Sequence, residues 1–342
     1  MKKTKGILLL TVIAVLNGIG VKAQNKITLS HLGVPTFFTN LTTALASASN
    51  GDTLYLPGGT IQPSGSDITI NKSVHIVGTG HYPDSTSATG RTLITTLRYL
   101  TGSGGGSLQG CVVNNLYIGY ASNQNIAGLS VTRCSIGYFR LGSDNVSTID
   151  NIYLTDNIFT GQISIHTAYS NIIFIRNIIN INNNRLGQGL LFKNNVFYQM
   201  SYDAFEGFIS CIYENNIIIS SGSDFTISSS NCHYNNNLFI PNVSDWGTNT
   251  QQNSLLNQTL DGTFENVTGT SFSYNYNYNL KDSSSGNDYG TDGTDVGIYG
   301  TNTPYKEGAV PFNPHIIFKS ISTETTPQGI LNVTISVSAQ DR

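Results

Sequence analysis

An all-β solenoid built from short stacked coils is what this sequence predicts, on three observations. Only 11% of the 342 residues are charged, and Asn, Ser, Thr and Gly are abundant. That suits turn-rich strands and leaves too little Lys, Glu, Leu and Ala for a helical protein. Asparagine returns to the middle of apolar runs at near-constant intervals, as in FKNNVF (192–197), YENNII (213–218) and YNNNLF (234–239). Apolar residues then hold fixed offsets from that asparagine, which is the mark of an internal repeat.

With Asn195 as position zero, the equivalent residues are Asn115, Cys134, Asn157, Asn177, Asn195, Asn216 and Asn237, at spacings of 19, 23, 20, 18, 21 and 21. Position −3 holds Val112, Val131, Leu154, Phe174, Phe192, Tyr213 and Tyr234, and position −5 holds Gly110, Leu129, Ile152, Ile172, Leu190, Cys211 and Cys232. Position +2 holds Tyr117, Ile136, Phe159, Ile179, Phe197, Ile218 and Phe239. Positions −5 and −3 alternate as one strand face, and +2 belongs to the next strand after a turn. A unit this small cannot bury its apolar face alone, so the units must stack.

The asparagines read as structural. Asparagine tolerates left-handed backbone and suits a tight turn. In a stack, the amides of Asn115, Asn157, Asn177, Asn195, Asn216 and Asn237 can also bond one another as a ladder. LLFKNNVF (190–197) imitates a leucine-rich repeat, but the following YQMSYDAFEGFIS lacks the second apolar set that the helical side of such a repeat needs. The uneven spacing also argues against a six-residue left-handed helix. A right-handed parallel β-helix remains, with three short strands per coil and eight to ten coils over roughly 40 Å at one strand spacing each.

The elements follow in order. Residues 1–23 read as a signal peptide, with a lysine-rich start, an apolar stretch, and Val21 and Ala23 at the cleavage site. No cysteine follows the cut to carry a lipid anchor, and no later stretch is long and apolar enough for a membrane span. The expectation is export to the periplasm, cell surface or medium. Cleavage leaves 13 Lys and Arg against 20 Asp and Glu, a charge of about −7 that makes nucleic acid an improbable partner. Residues 24–66 form a cap and first strand, in which LTTALASASNGDTLYLPGGT (41–60) gives a short helix, a Gly-Asp turn and a strand. Residues 67–240 are the coils, 241–300 the last coils and closing segment, and 301–342 a C-terminal β tail. Leu331, Val333, Ile335 and Val337 of the tail alternate after a Thr-Pro-Gln-Gly turn.

Position +1 holds Leu116, Ile158, Ile178, Val196, Ile217 and Leu238, which should point outward as an apolar ridge. Bare ridges are unusual on soluble proteins, so the tail or the 241–290 segment should cover it. Cys211 and Cys232 share the −5 column and are expected as stacked thiols, because in-register parallel neighbours make poor disulfide geometry. Cys111 and Cys134 fall in different columns and should not pair. No C-x-x-C or histidine cluster suggests a metal.

The cap sequence at 41–60 resembles the N-terminal entrance of pectin-lyase-like β-helices. DYGTDGTDVGIYG (288–300) is similar to the D-[VI]-G-x-Y closing segment of exported bacterial right-handed β-helix repeat proteins. The resemblance covers most of residues 36–300 and implies the fold. Relatives of that kind often cleave acidic polysaccharides. Lyases among them use a Lys or Arg base, commonly with calcium, and hydrolases use paired carboxylates.

Neither constellation is evident. The Asn-Thr-Asp, Asp-Asp and Gly-His-Gly set of polygalacturonases is absent, and no series of Asp residues would hold calcium. The catalytic candidates are Arg176 or Lys193 as base, with Asp156 or Glu214 as partner. Stacked opposite charges are the competing reading for all four. His75, His166 and His233 scatter over the coils. Sugar-binding candidates are Tyr153 and His233 in the outward −4 column and the tyrosines of SYNYNYNL (273–280), whose faces beside Asn and Ser suit stacking plus hydrogen bonding. Asp84-Ser85-Thr86 reads as an exposed acceptor for a bacterial O-glycan.

The expected function is therefore noncatalytic binding of a polysaccharide or surface glycan, without a cofactor. A lyase or hydrolase on an acidic polysaccharide is the alternative, with calcium the expected companion of a lyase. A structural or adhesive solenoid is the third reading.

Overall fold

The structure, a computed structural model, describes residues 26–61, 67–121, 124–143, 148–166, 170–180, 187–198, 203–220, 222, 224–309 and 314–339. The expected signal peptide lies outside the described residues. A parallel β-helix of about eight turns carries the chain. One wall is a 13-stranded sheet, here the first sheet, and another is an 11-stranded second sheet. Only two α-helices occur among the described residues. None there is long and apolar enough to cross a membrane.

The cap forms as the sequence suggests. Leu41–Ser47 is helical, and the Asn40 side chain accepts a hydrogen bond from the Thr43 N–H at 3.2 Å, satisfying one orphan donor of the first turn. Leu41, Ala44 and Leu45 face inward over the first coil. At the other end, Lys72 Nζ donates to the carbonyls of Leu45, Ala46 and Ala48 at 2.6–3.0 Å, where a cation also complements the helix dipole.

Each coil turns at two left-handed residues five positions apart. At −6 these are Gly105, Gly128, Asn151, Asn171, Gly189, Ser210 and Asn231, and at −1 Gly110, Arg133, Asp156, Arg176, Asn194, Asn215 and Asn236, all with positive φ. Glycine and asparagine populate this region most readily, which accounts for most of both columns. Between the kinks runs a short strand of the first sheet, and residues +1 onward join the second. Position zero is thus not the turn residue but the one after it.

The zero column is a hydrogen-bonded ladder. Each Oδ1 of Asn157, Asn177, Asn195, Asn216 and Asn237 accepts from the backbone N–H one coil earlier at 2.8–2.9 Å. Each Nδ2 donates to the position −3 carbonyl of that earlier coil: Val131, Leu154, Phe174, Phe192 and Tyr213, at 2.7–3.0 Å. All five side chains are fully buried. Inside, the −3 column stacks aromatic rings nearly parallel, with Phe192–Tyr213 at 4.9 Å and 9° and Tyr213–Tyr234 at 4.6 Å and 2°.

Three expectations need correction in the early coils. Asn115 is not in the ladder. Strand pairing sets Val113 opposite Ile136 and Asn115 opposite Tyr138, so the zero position of that coil is Cys111. Asn115 instead donates to Thr95 O and Thr96 Oγ1 at 3.3 Å. Tyr117, Val112 and Gly110 are accordingly not the +2, −3 and −5 residues of that coil, because Val113, Leu108 and Gly106 take those places. Cys111 and Cys134 do share a column, as the non-amide base of the ladder, where the Cys134 N–H donates to Asn157 Oδ1 at 2.9 Å. Burial pushes the Cys111 thiol up, and that of Cys134 up to about 12.

Cys211 and Cys232 are free and buried, and the Cys232 sulfur accepts from the Cys211 N–H at 3.2 Å. The Cys232 N–H passes the pattern on to Asn249 Oδ1 at 2.9 Å, a second, shorter ladder at −5.

The +1 ridge is covered. Ile158, Ile178, Val196, Ile217 and Leu238 pack in a second apolar cluster with Phe264, Val267, Tyr278, Val296, Ile298 and Tyr305. Leu116 belongs to the interior core instead, a consequence of the shifted register. The covering chain therefore runs past residue 290 to Ala309. Of the 301–342 tail, Tyr305 and Ala309 join that cluster, while His315–Ile321 and Val333–Ser338 stand outside it as an antiparallel hairpin.

Candidate functional site

The covering segment determines what happens to the charged candidates. It returns antiparallel to the stacking direction, gripped by the −1 column. Asn236 Nδ2 donates to Tyr289 O at 2.8 Å, Asn215 Oδ1 accepts from Thr291 N–H at 2.9 Å, and Asn194 Nδ2 donates to Asp295 O and Gly297 O at 3.1 Å. Gly297 has φ +84°, and a Cβ there would meet Ile217 Cδ1 at 2.6 Å. The glycine of the D-[VI]-G-x-Y segment is thus required twice over, by conformation and by space. Its aspartate, Asp295, accepts from the Asp288 N–H at 2.9 Å, while Val296 and Ile298 fill the ridge.

The four charged candidates lie along this seam in two groups. Asp156 sits between Arg176, whose Nε donates to Oδ1 at 2.8 Å, and Arg133, whose Nε stands 3.8 Å from Oδ2. Burial pushes the Asp156 carboxyl up, against the pull of Arg176 and Arg133. Arg176 Nη1 also donates to Thr301 and Thr303 at 3.4 Å. Lys193 Nζ stands 2.6 Å from Glu214 Oε1 and 3.4 Å from Asp292 Oδ2, and Glu214 Oε1 accepts from Thr291 Oγ1 at 2.7 Å. These groups neutralise one another and tie down the covering segment.

The other candidates are dispersed. Tyr153 and His233 stand in the −4 column of the first sheet, four strand pairings apart, or roughly 19 Å. His75, His166 and His233 each hydrogen-bond a neighbouring hydroxyl, of Ser107, Ser164 and Thr250, at 2.7–2.9 Å. Thr86 is buried, contrary to the expected exposure of 84–86, and its hydroxyl donates to Tyr82 O at 2.6 Å. Among the described residues, no group of three or more His, Cys, Asp or Glu converges as a metal site would.

A cleft of about 490 Å³ opens where the 82–85 loop meets the covering segment. Six tyrosines line it: Tyr82, Tyr274, Tyr276, Tyr278, Tyr299 and Tyr305. Alternation in 273–280 places Asn275 and Asn277 in solvent beside half-buried Tyr274 and Tyr276, while Tyr278 is anchored inside by a 2.6 Å hydrogen bond from Tyr198. Tyr82 and Tyr274 meet edge to face at 4.7 Å, and the hydroxyls of Tyr82 and Tyr305 share a 3.1 Å hydrogen bond. Ser85 Oγ donates to Gly308 O at 2.8 Å and closes one end.

Burial raises the phenols of Tyr274, Tyr278 and Tyr305, so all three stay neutral. Beneath them His81, whose Nδ1 lies 3.3 Å from Tyr274 OH, is lowered to about 3 by burial and then by Arg91, so it too is neutral. The cleft therefore offers aromatic faces and uncharged hydroxyls and amides, with the Asp84 carboxylate among its lining groups. Sequence reasoning reached Tyr274, Tyr276 and Tyr278 but not Tyr82, Tyr299 or Tyr305. Their only local signal was the extra HYPDST stretch between coils and the terminal tyrosine of the closing segment.

Comparison with protein-family models, with curated proteins and with solved structures returned no significant match.

Proposed function

We propose that this chain is an exported, noncatalytic glycan-binding protein of the pectin-lyase-like β-helix type, and that the tyrosine cleft is where the sugar docks. The observation that carries this reading is the cleft itself: six tyrosines with Asn275, Asn277 and Ser85 around a volume that holds a small saccharide. Sugar rings present C–H faces that stack on aromatic rings and hydroxyls that pair with amides and phenols. Neutral groups supply that recognition without general acid–base chemistry. The charged side chains named as catalytic candidates are already engaged with each other and with the covering segment, which supports binding over cleavage.

Half-buried Tyr276 is the residue to change, since it packs against the second apolar cluster from its rim and is not one of its buried members. On a glycan array followed by calorimetry, Tyr276→Ala should weaken the best ligand about tenfold, equivalent to about 1.4 kcal/mol, while the variant still unfolds in one cooperative transition. Equal binding by the variant would remove the cleft from the function. New reducing ends without ultraviolet absorbance of unsaturated uronates would replace binding by hydrolysis, and growth of that absorbance would replace it by lyase activity.

A further inference from the structure

A second surface, sharing no residue with that cleft, has a different chemistry. Thr92–Tyr99, Val112–Ile118 and Ser135–Leu141 are the long strands of the second sheet, and their register sets Arg98, Tyr117 and Arg140 opposite one another across three adjacent strands. Leu97, Tyr99, Leu116, Ile118, Phe139 and Leu141 on either side of them are fully buried. The pleat therefore turns Arg98, Tyr117 and Arg140 to the outer face.

There the guanidinium of Arg98 lies 4.2 Å from the centre of the Tyr117 ring and 4.8 Å from that of Tyr120, while Arg140 lies 4.6 Å from Tyr120. Two guanidinium groups thus share one ring that is itself 40% exposed, and stand within about 10 Å of each other. Tyr138 adds a third ring, its centre 5.7 Å from that of Tyr117, and the rings of Tyr138 and Tyr120 are inclined to that of Tyr117 at 56° and 61° as the walls of a shallow cluster. Asp67 pairs with Arg98 at 2.5 Å, and Arg140 Nε donates to Gly142 O at 3.3 Å, so both arginines are held in place at the edge of the cluster.

We propose that this face binds an anionic saccharide, whose ring packs against the inclined tyrosine cluster of Tyr117, Tyr120 and Tyr138 and whose carboxylate or sulfate ester is taken by Arg98 and Arg140. Guanidinium forks match both oxyanions in two-pronged geometry, and held against rings they lose little freedom on binding. The tyrosines add the stacking that a free inorganic anion would not use. A uronate and a sulfated sugar present the same chemistry here, and the assay separates them.

The full chain is titrated with oligogalacturonate, with sulfated dextran, with unmodified dextran and with an oligothymidylate. At least one of the two anionic saccharides should bind and weaken steeply as salt is raised, whereas dextran should not bind this face. The double variant Arg98→Gln/Arg140→Gln should lose about tenfold or more in that affinity, and Tyr276→Ala in the tyrosine cleft should leave it unchanged. Arg140→Lys keeps the charge but not the fork and should fall between, which preserves the test if the double variant does not fold. Absence of binding to both anionic saccharides would overturn the proposal. So would equal binding by a folded double variant, or a preference for the oligothymidylate.

Discussion

Ile158, Ile178, Val196, Ile217 and Leu238 on the second sheet are at most 1% exposed, whereas Ile317, Ile335 and Val337 of the C-terminal hairpin are 50–58% exposed. Both surfaces are apolar strand faces outside the coil core. They differ in what stands beside them. The ridge runs next to the −1 column, whose Asn194, Asn215 and Asn236 side chains satisfy the backbone of the covering segment as it crosses. A cover held only by apolar contact would leave its own peptide groups to be desolvated without partners. The hairpin has no comparable polar column, and only its first residues, His315 and Ile316, pack beside the coils, near Tyr55, Leu56 and Val77. Repetition is the deeper difference. Five equivalent apolar residues and three equivalent asparagines give one irregular segment a continuous track, and a single two-stranded ribbon offers none.

Placing a charge on each surface should show this contrast at its largest. Ile298→Asp buries a carboxylate in the covered cluster and should cost about 4 kcal/mol in chemical unfolding. Ile335→Asp on the hairpin should move the midpoint by less than about 0.5 kcal/mol. Comparable losses at the two sites would mean that the hairpin is packed in solution.

The ladder provides a sharper comparison inside the coils. Asn195→Ala strips the acceptor from the Asn177 N–H and the donor from the Phe174 carbonyl, and should cost about 3 kcal/mol in thermal unfolding. Asn115→Ala, outside the ladder, should cost less than about 1 kcal/mol. A reversed order would restore Asn115 to the ladder and displace Cys111.

The smallest effect is electrostatic and tests the seam itself. Burial alone would lower Lys193, but its hydrogen bond and attraction to Glu214, joined by Asp292, hold it above the ordinary lysine value of 10.5. A folded-state value that is raised contributes stability below 10.5, and the contribution disappears as pH climbs through the folded value. Stability of the native chain should therefore fall in that alkaline range, and Lys193→Met should flatten the fall, by about 0.5 kcal/mol. Identical alkaline limbs for the two proteins would show that the pair adds nothing to the grip on the cover.

The coil period, the −3 column from Val131 onward, the inward +2 residues from Ile136 onward and the ladder from Asn157 to Asn237 were all legible, because a stacked repeat writes the same packing demand at the same offset each time. The two left-handed columns were legible too, in the Gly and Asn at −6 and −1, but the expectation assigned that role to position zero. Asn115 misled for a related reason. CVVNNLYI contains an asparagine where similarity of residue type suggests it, whereas hydrogen-bond register, not identity, decides which residue occupies a column. Cys111 lacks an amide and so left no trace in a search for asparagine.

The amino-acid sequence by itself determined the stacked-coil architecture, the capping helix and the existence of an apolar ridge that something had to cover, since periodicity and burial are local demands repeated along one axis. Only the tertiary structure decided which segment provides the cover, how the −1 column grips it, and that tyrosines from positions 82, 274–278, 299 and 305 meet in one cleft. Those contacts join residues from 53 to 223 positions apart, where no repeat carries the register and the path of the returning chain alone brings them together.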